Sequence, residues 1–146
     1  MNEWSIALVA HDGKKADLLD WVEKNKDLLV RHKVSATGTT GKLLKEKLGV
    51  YIQTFMSGPL GGDQQIGAAI AERKIDMLIF LWDPLEAQPH DPDVKALLRL
   101  ATVWDIPIAT NIATAEALLK SEILSKEPQH KAPNFTAYLN RFNNSK

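Results

Sequence analysis

Val50-Tyr51-Ile52-Gln53-Thr54-Phe55-Met56-Ser57-Gly58-Pro59-Leu60-Gly61-Gly62-Asp63-Gln64-Gln65-Ile66 passes from an apolar run, through a loop, into an amphipathic run. Three glycines and a proline exclude regular structure between the two. Glycine admits positive φ and close approach of a ligand to backbone, and the first turn of a helix leaves amide N–H groups free to bind an anion. Strand, loop, helix is therefore the reading, with a carboxylate, Asp63, where loop becomes helix. Taken alone, that carboxylate reads as an N-cap accepting from the next turn's amides.

Working outward, the same unit recurs. Ser5 to Ala10 has the continuous apolar character of a strand buried on both faces and stops at His11-Asp12-Gly13. Leu18, Leu19 and Val22 share a helix face after it. Lys33 to Ala36 is a second, shorter strand, with Leu28 to Val30 competing for the assignment. Thr37-Gly38-Thr39-Thr40-Gly41 leads into a helix over Lys42 to Leu48, and Gly49 stands where a helix C′ glycine belongs. Val50 to Met56 is the third strand, and Ile66, Ala69 and Ile70 mark the helix face beyond the loop. Met77 to Trp82 is the fourth strand, stopped by Asp83-Pro84. Val94, Leu97, Leu98 and Ala101 then recur at i, i+3, i+4 and i+7, with Asp91 as N-cap and Pro92 at N1. Ile106 to Thr110 is a fifth strand, followed by a turn with Thr114 as N-cap and a helix over Ala115 to Lys120. In the polar tail after Ser121, Tyr138, Leu139 and Phe142 are spaced to dock a last short helix.

Five short buried strands alternating with helices predict a single α/β domain over residues 1–146: a doubly wound, five-stranded parallel sheet with helices on both faces. A chain of 146 residues is long enough for one such core. Ligands of such sheets bind beyond the carboxyl ends of the strands. The polar residues follow that rule: His11, Asp12 and Lys15 after strand one, Thr37 to Thr40 after strand two, Ser57 to Asp63 after strand three, Asp83 and His90 after strand four, Asn111 and Thr114 after strand five.

Composition narrows the chemistry. Eighteen basic and eighteen acidic residues give a formal net charge of zero, so nothing favours nucleic acid or an anionic membrane as partner. The absence of cysteine excludes disulfides, thiolate catalysis and Cys-type metal sites. Ile6 to Ala10 is too short for a signal peptide and Met77 to Trp82 far too short for a membrane span, so a soluble cytoplasmic protein is expected. Hydroxyls and amides at Thr37-Gly38-Thr39-Thr40 suit the oxygens of a phosphate monoester, although the string lacks both the Walker and the GxGxxG spacing. Lys15 adds a positive charge within reach, or is a solvated lysine. His11, Asp12, His90, Asp91 and Asp93 contain metal-ligating types without any metal-binding spacing.

Ala10-His11-Asp12, Ala36 to Gly41, Ser57 to Gln65, Trp82-Asp83-Pro84-Leu85 and Pro89 to Arg99 together resemble the methylglyoxal synthases, which convert dihydroxyacetone phosphate into methylglyoxal and inorganic phosphate. The resemblance covers most of the chain before Ser121. It implies a flavodoxin-like domain, a homohexamer, no metal or organic cofactor, and inhibition by phosphate, which is in some members allosteric. By residue, it implies Asp63 as the catalytic carboxylate and His90 as its partner in catalysis. His11, Lys15, Thr37, Gly38, Thr39, Thr40, Ser57, Gly58 and His90 match positions that bind substrate or its phosphate, and Asp12, Asp83 and Asp93 match further carboxylates of the catalytic site. A non-catalytic alternative exists, since the fold is similar to the effector-binding domain of carbamoyl-phosphate synthetase; Asp63 together with His90 argues against it. A phospho-acceptor receiver domain would need an aspartate at the end of strand three, where this chain has Met56-Ser57.

Overall fold

A computed structural model describes residues 2–87, 91–129 and 133–143, without the side chains of 142 and 143. Five parallel strands form one sheet: β1 (Ser5–Ala10), β2 (Lys33–Thr37), β3 (Gln53–Phe55), β4 (Met77–Leu81) and β5 (Ile108–Ala109), in the order β3-β2-β1-β4-β5. The helices are α1 (Lys15–Lys24), α2 (Lys26–Leu29), α3 (Gly38–Leu48), α4 (Gly62–Ala71), α5 (Asp91–Val103), α6 (Ile112–Lys120) and α7 (Phe135–Asn143). The doubly wound parallel sheet is as expected. Its order places the topological switch between β1 and β4, whereas flavodoxin, with order 2-1-3-4-5, has it between its first and third strands.

Side-chain alternation along β1 explains the two layers. Ile6, Leu8 and Ala10 face one way, into a core with Leu18 and Val22 of α1, Leu44 of α3 and Leu119 of α6. Ala7 and Val9 face the other way, against Ile66 and Ile70 of α4 and Val94, Leu97 and Ala101 of α5. The chain advances β1 to β2 to β3 with α1 and α3 on the first face, then reverses direction to β4 and β5. With every crossover right-handed, reversal of direction requires the opposite face, and α4 and α5 occupy it. Among the described residues no helix is long and apolar enough to cross a membrane.

Several boundaries differ from the sequence expectation, each for a local reason. The third strand pairs only over Gln53–Phe55, because β3 is an edge strand with β2 as its sole neighbour. The fifth strand, at the other edge, is likewise confined to Ile108–Ala109. Leu28 and Leu29 belong to the short helix α2, which removes the competition with β2. Helix α3 starts at Gly38 rather than Lys42, so the Thr-Gly-Thr-Thr-Gly string is its first turn; Gly49, with φ 65°, closes it as expected. The N-cap of α6 is Asn111, whose Oδ1 accepts from the Thr114 N–H at 2.9 Å, and not Thr114 itself. The tail does form α7, and Phe135 lies on Trp104 with centroids 5.8 Å apart, but Tyr138 and Leu139 remain exposed. The Phe142 side chain lies outside the described residues.

Candidate active site

Three βα turns meet beyond the carboxyl ends of β1, β2 and β3. They enclose a cleft of about 230 Å³ lined by Val9, Ala10, His11, Asp12, Lys15, Thr37 to Thr40, Ser57 to Pro59 and Asp63. It lies on the β3 side of the switch point.

The β2–α3 turn supplies the start of a helix as one wall. Gly38 takes φ +56°, and a Cβ there would stand 3.3 Å from the Ser57 Cβ, so glycine lets this turn and the β3–α4 turn close on each other. Thr37 is the N-cap by position, but its side chain makes no capping hydrogen bond. Thr40 is only 1 % exposed and its hydroxyl has no hydrogen-bond partner among the described residues. A buried hydroxyl is normally satisfied, so this one, at a helix start in a cleft, marks a place for a ligand oxygen. Thr39 lies further out, where the Lys15 ammonium donates to its Oγ1 at 3.4 Å.

The β3–α4 turn supplies the carboxylate. A 3-10 turn over Gly58–Leu60 folds back so that the Gly62 N–H donates to the Ser57 carbonyl at 2.9 Å. A Cβ on Gly62 would overlap the Met56 carbonyl oxygen, so the turn closes only over glycine. Gly61, at φ 112°, occupies the N-cap of α4. Asp63 is consequently the second residue of the helix and not its cap. It is 2 % exposed, and its carboxylate is inside the first turn, where the helix dipole favours negative charge. Gln65 ties the turn to the end of β3, its Oε1 accepting from the Met56 N–H at 2.7 Å.

The β1–α1 turn supplies His11, Asp12 and Lys15. His11 is buried, stands edge-on to Phe80 with centroids 5.2 Å apart, and its Nδ1 accepts the Asp83 N–H at 3.1 Å. That bond fixes the neutral tautomer with hydrogen on Nε2, so the ring presents a donor. Asp12 has its side chain 91 % exposed and pairs with Lys15, three residues on in the same turn, at 2.7 Å.

Of the expected site residues, the structure thus brings together His11, Asp12, Lys15, Thr37, Gly38, Thr39, Thr40, Ser57, Gly58 and Asp63. Asp83 does not line the cleft. Its carboxylate turns back, Oδ1 accepting the Leu85 N–H at 3.1 Å. Asp93 lies on the far side of α4, where it and Asp63 line a shallow groove between α4 and α5. His90 is outside the described residues. Four residues that shape the site carry no chemical signal in the sequence: Val9 and Ala10 of the cleft wall read as strand core, Pro59 reads only as part of the glycine-rich loop, and Phe80, against His11, resembles any core aromatic of β4. No group of three or more metal-ligating side chains converges among the described residues.

Chemically, the cleft offers anion-binding groups with a carboxylate among them. One lysine, the amides at the start of α3 and the threonine hydroxyls suit a phosphate group. A carboxylate only repels a phosphate, so binding alone gives Asp63 no purpose there; a proton to remove does.

Residues 17–110 match the MGS-like domain family. The chain is 60% identical to the methylglyoxal synthase of Proteus mirabilis (strain HI4320) over 137 residues, covering 94% of this chain and 90% of that one. It is also 60% identical over 137 residues to the methylglyoxal synthase of Hahella chejuensis (strain KCTC 2396), covering 94% and 89%. A crystal structure of methylglyoxal synthase from Elizabethkingia anophelis NUHP1 superposes with a TM-score of 0.86 at 55% identity, covering 94% of this chain and 90% of that one.

Proposed function

The chain belongs to the methylglyoxal synthase family, and from that premise we propose that it is a carbon–oxygen lyase converting dihydroxyacetone phosphate to methylglyoxal and inorganic phosphate. The observation that supports the mechanism is the buried Asp63 in a cleft lined also by Lys15, Thr37 to Thr40, Ser57 and Gly58.

In this reading Thr37 to Thr40, Ser57, Gly58 and Lys15 hold the phosphate. Lys15 exchanges Asp12 for the incoming dianion. Asp63 removes a proton from the hydroxymethyl carbon beside the carbonyl, and the electrons of that C–H bond move into an enediolate. His11, through Nε2–H, and His90 donate hydrogen bonds to the oxygens on which charge develops. The terminal hydroxyl then passes its proton to the neighbouring enolate oxygen and closes to the aldehyde C=O, the old π pair shifts to form the new C=C bond as the C–O bond to phosphate breaks, phosphate leaves with the proton that was taken from carbon, and the resulting enol tautomerises to methylglyoxal. Expulsion needs the C–O–P bond out of the enediolate plane, where its antibonding orbital overlaps the π system. An isomerase holds the same bond in plane, so the torsion imposed by the phosphate cradle decides the product.

The same reading takes residues 1–146 as one catalytic domain working without metal or organic cofactor, as a homohexamer in the cytoplasm. Inorganic phosphate would inhibit by occupying the cradle, and allosterically where subunits communicate. Asp93 lines the groove beside α4 together with Asp63 and would set its environment rather than touch the phosphate.

The test is to incubate the pure protein with dihydroxyacetone phosphate while following phosphate and dicarbonyl together. Equimolar appearance of both is expected. Conversion to glyceraldehyde 3-phosphate without phosphate release, or binding without turnover, would overturn the proposal and favour an isomerase or an effector-binding module.

A further inference from the structure

Asp83 is a carboxylate beside the candidate site that, among the described residues, does not line its cleft. It is buried, yet it is absent from the cleft wall, and both of its hydrogen bonds are structural. Its Oδ1 accepts the Leu85 N–H at 3.1 Å, an Asx turn across Pro84, and its own N–H donates to His11 Nδ1 at 3.1 Å. Its other carboxylate oxygen packs against the β1–α1 turn, where a Cβ on Gly13 would stand 2.6 Å from Oδ2.

We propose that Asp83 is a positioning residue which acts only through His11: its side chain locks the backbone at the end of β4 so that one N–H selects the tautomer and angle of the catalytic imidazole. This rests on the function proposed above for His11. Three constraints converge on that N–H. The preceding Trp82 N–H is tied to the Phe80 carbonyl at 2.9 Å. Pro84 restricts Asp83 to extended backbone. The Asx turn fixes the peptides that follow. His11 is equally constrained, its own N–H donating to the Leu81 carbonyl at 3.2 Å and its ring edge-on to Phe80. Nδ1 can therefore meet the Asp83 N–H only while the β4 end keeps its present path, and Nε2 is aimed accordingly. This location spans the topological switch between β1 and β4, so the bond joins the two halves of the sheet at the point where the cleft wall begins.

The geometry separates this role from proton transfer, because the Asx turn needs an acceptor oxygen and not a charge. Asp83→Asn keeps the acceptor, while Asp83→Ala removes it. In Asp83→Ala, kcat should fall on the order of a hundredfold, as expected when a reacting group is misplaced by about 1 Å, with little change in KM or in phosphate inhibition. Asp83→Asn should recover most of the loss. In a His11→Gln background, Asp83→Ala should cost nothing further. Nitrogen-15 NMR of the histidine rings, with His11 assigned by its absence in His11→Gln, should show protonation at Nε2 in wild type and Asp83→Asn, and tautomer averaging in Asp83→Ala. Equal inactivity of Asp83→Asn and Asp83→Ala, multiplicative losses with His11→Gln, or an unchanged His11 signal in Asp83→Ala would each overturn the proposal. The ring spectra need no turnover: if wild type made no methylglyoxal, the functional reading would fail while the spectra still decided the link from Asp83 to His11.

Discussion

Replacing Thr40 by valine should raise stability and lower phosphate affinity at once. Valine matches threonine in shape and exchanges the hydroxyl for a methyl. In the resting protein that hydroxyl is buried at 1 % exposure and has no partner among the described residues, so its desolvation is uncompensated. Removing such a group relieves a penalty of roughly 1–3 kcal/mol, and the folded state of Thr40→Val should gain a good part of that. With phosphate bound, the same hydroxyl donates to a charged oxygen, a bond contributing roughly 1.5–3 kcal/mol. Its loss should weaken substrate binding and phosphate inhibition by roughly ten- to a hundredfold. Urea unfolding without phosphate gives the first quantity, and calorimetric titration with inorganic phosphate gives the other. Thr39→Val is the internal control, because Thr39 is exposed and its Oγ1 already takes a hydrogen bond from Lys15. It should leave stability nearly unchanged. A Thr40→Val protein less stable than wild type, or one binding phosphate equally well, would show that the hydroxyl has an internal role and that the cradle is placed wrongly.

Asp63→Asn should fold normally, since Gly61 and not Asp63 caps α4, while turnover falls by roughly 10²–10⁴-fold and solvent deuterium no longer enters unreacted substrate. Near-normal turnover would move the search for the base to Asp12 or Asp93. Gly62→Ala should destabilise by roughly 1–3 kcal/mol, because the new methyl overlaps the Met56 carbonyl, and unchanged urea unfolding would refute the packing described for that turn. His32, buried with Nδ1 accepting the Trp4 N–H at 3.0 Å, is held below the ordinary 6.5 by burial. A histidine kept neutral by folding contributes stability above its unfolded value and loses it as pH falls, so stability should decline below about pH 6.5. His32→Asn, which keeps an acceptor but cannot titrate, should show a shallower decline in unfolding free energy between about pH 7 and 5; an identical slope would refute the assignment.

The central strands are legible in the sequence because burial on both faces leaves few polar letters: Ser5 to Ala10 has the same limits in sequence and structure, and Met77 to Leu81 differs by one residue. Periodicity likewise exposes Val94, Leu97 and Ala101. Edges are harder, because β3 and β5 end where a neighbour ends and not where the apolar letters do. The start of α3 is hidden by residues that disfavour helix interiors, Gly38, Thr39, Thr40 and Gly41, gathered where a cradle needs them. Asp63 resembles a cap because cap and first-turn acid differ by two residues. What assigns the cap to Gly61 is contact between Gly62 and Met56, a tertiary fact. Asp83 is visible as a carboxylate, but the group that reaches His11 is a backbone N–H, and every residue except proline has one. Substrate identity comes from the motifs and their relatives, since a phosphate cradle with a carboxylate does not specify the rest of the molecule.

The three-residue pairing of β3 places one of the three walls of the cleft, the one that carries Asp63, on the least tethered strand of the sheet's β3-β2-β1 half. Local opening follows tethering, so the amides of 53–57 should exchange with solvent through openings that leave the six-residue β1 and five-residue β4 intact. Heat or denaturant would then detach Ser57 and displace the start of α4 before the core melts. Catalysis would stop while the molecule still counts as folded by circular dichroism, and a bound phosphate would close that gap between inactivation and melting by holding the β2–α3 and β3–α4 turns together.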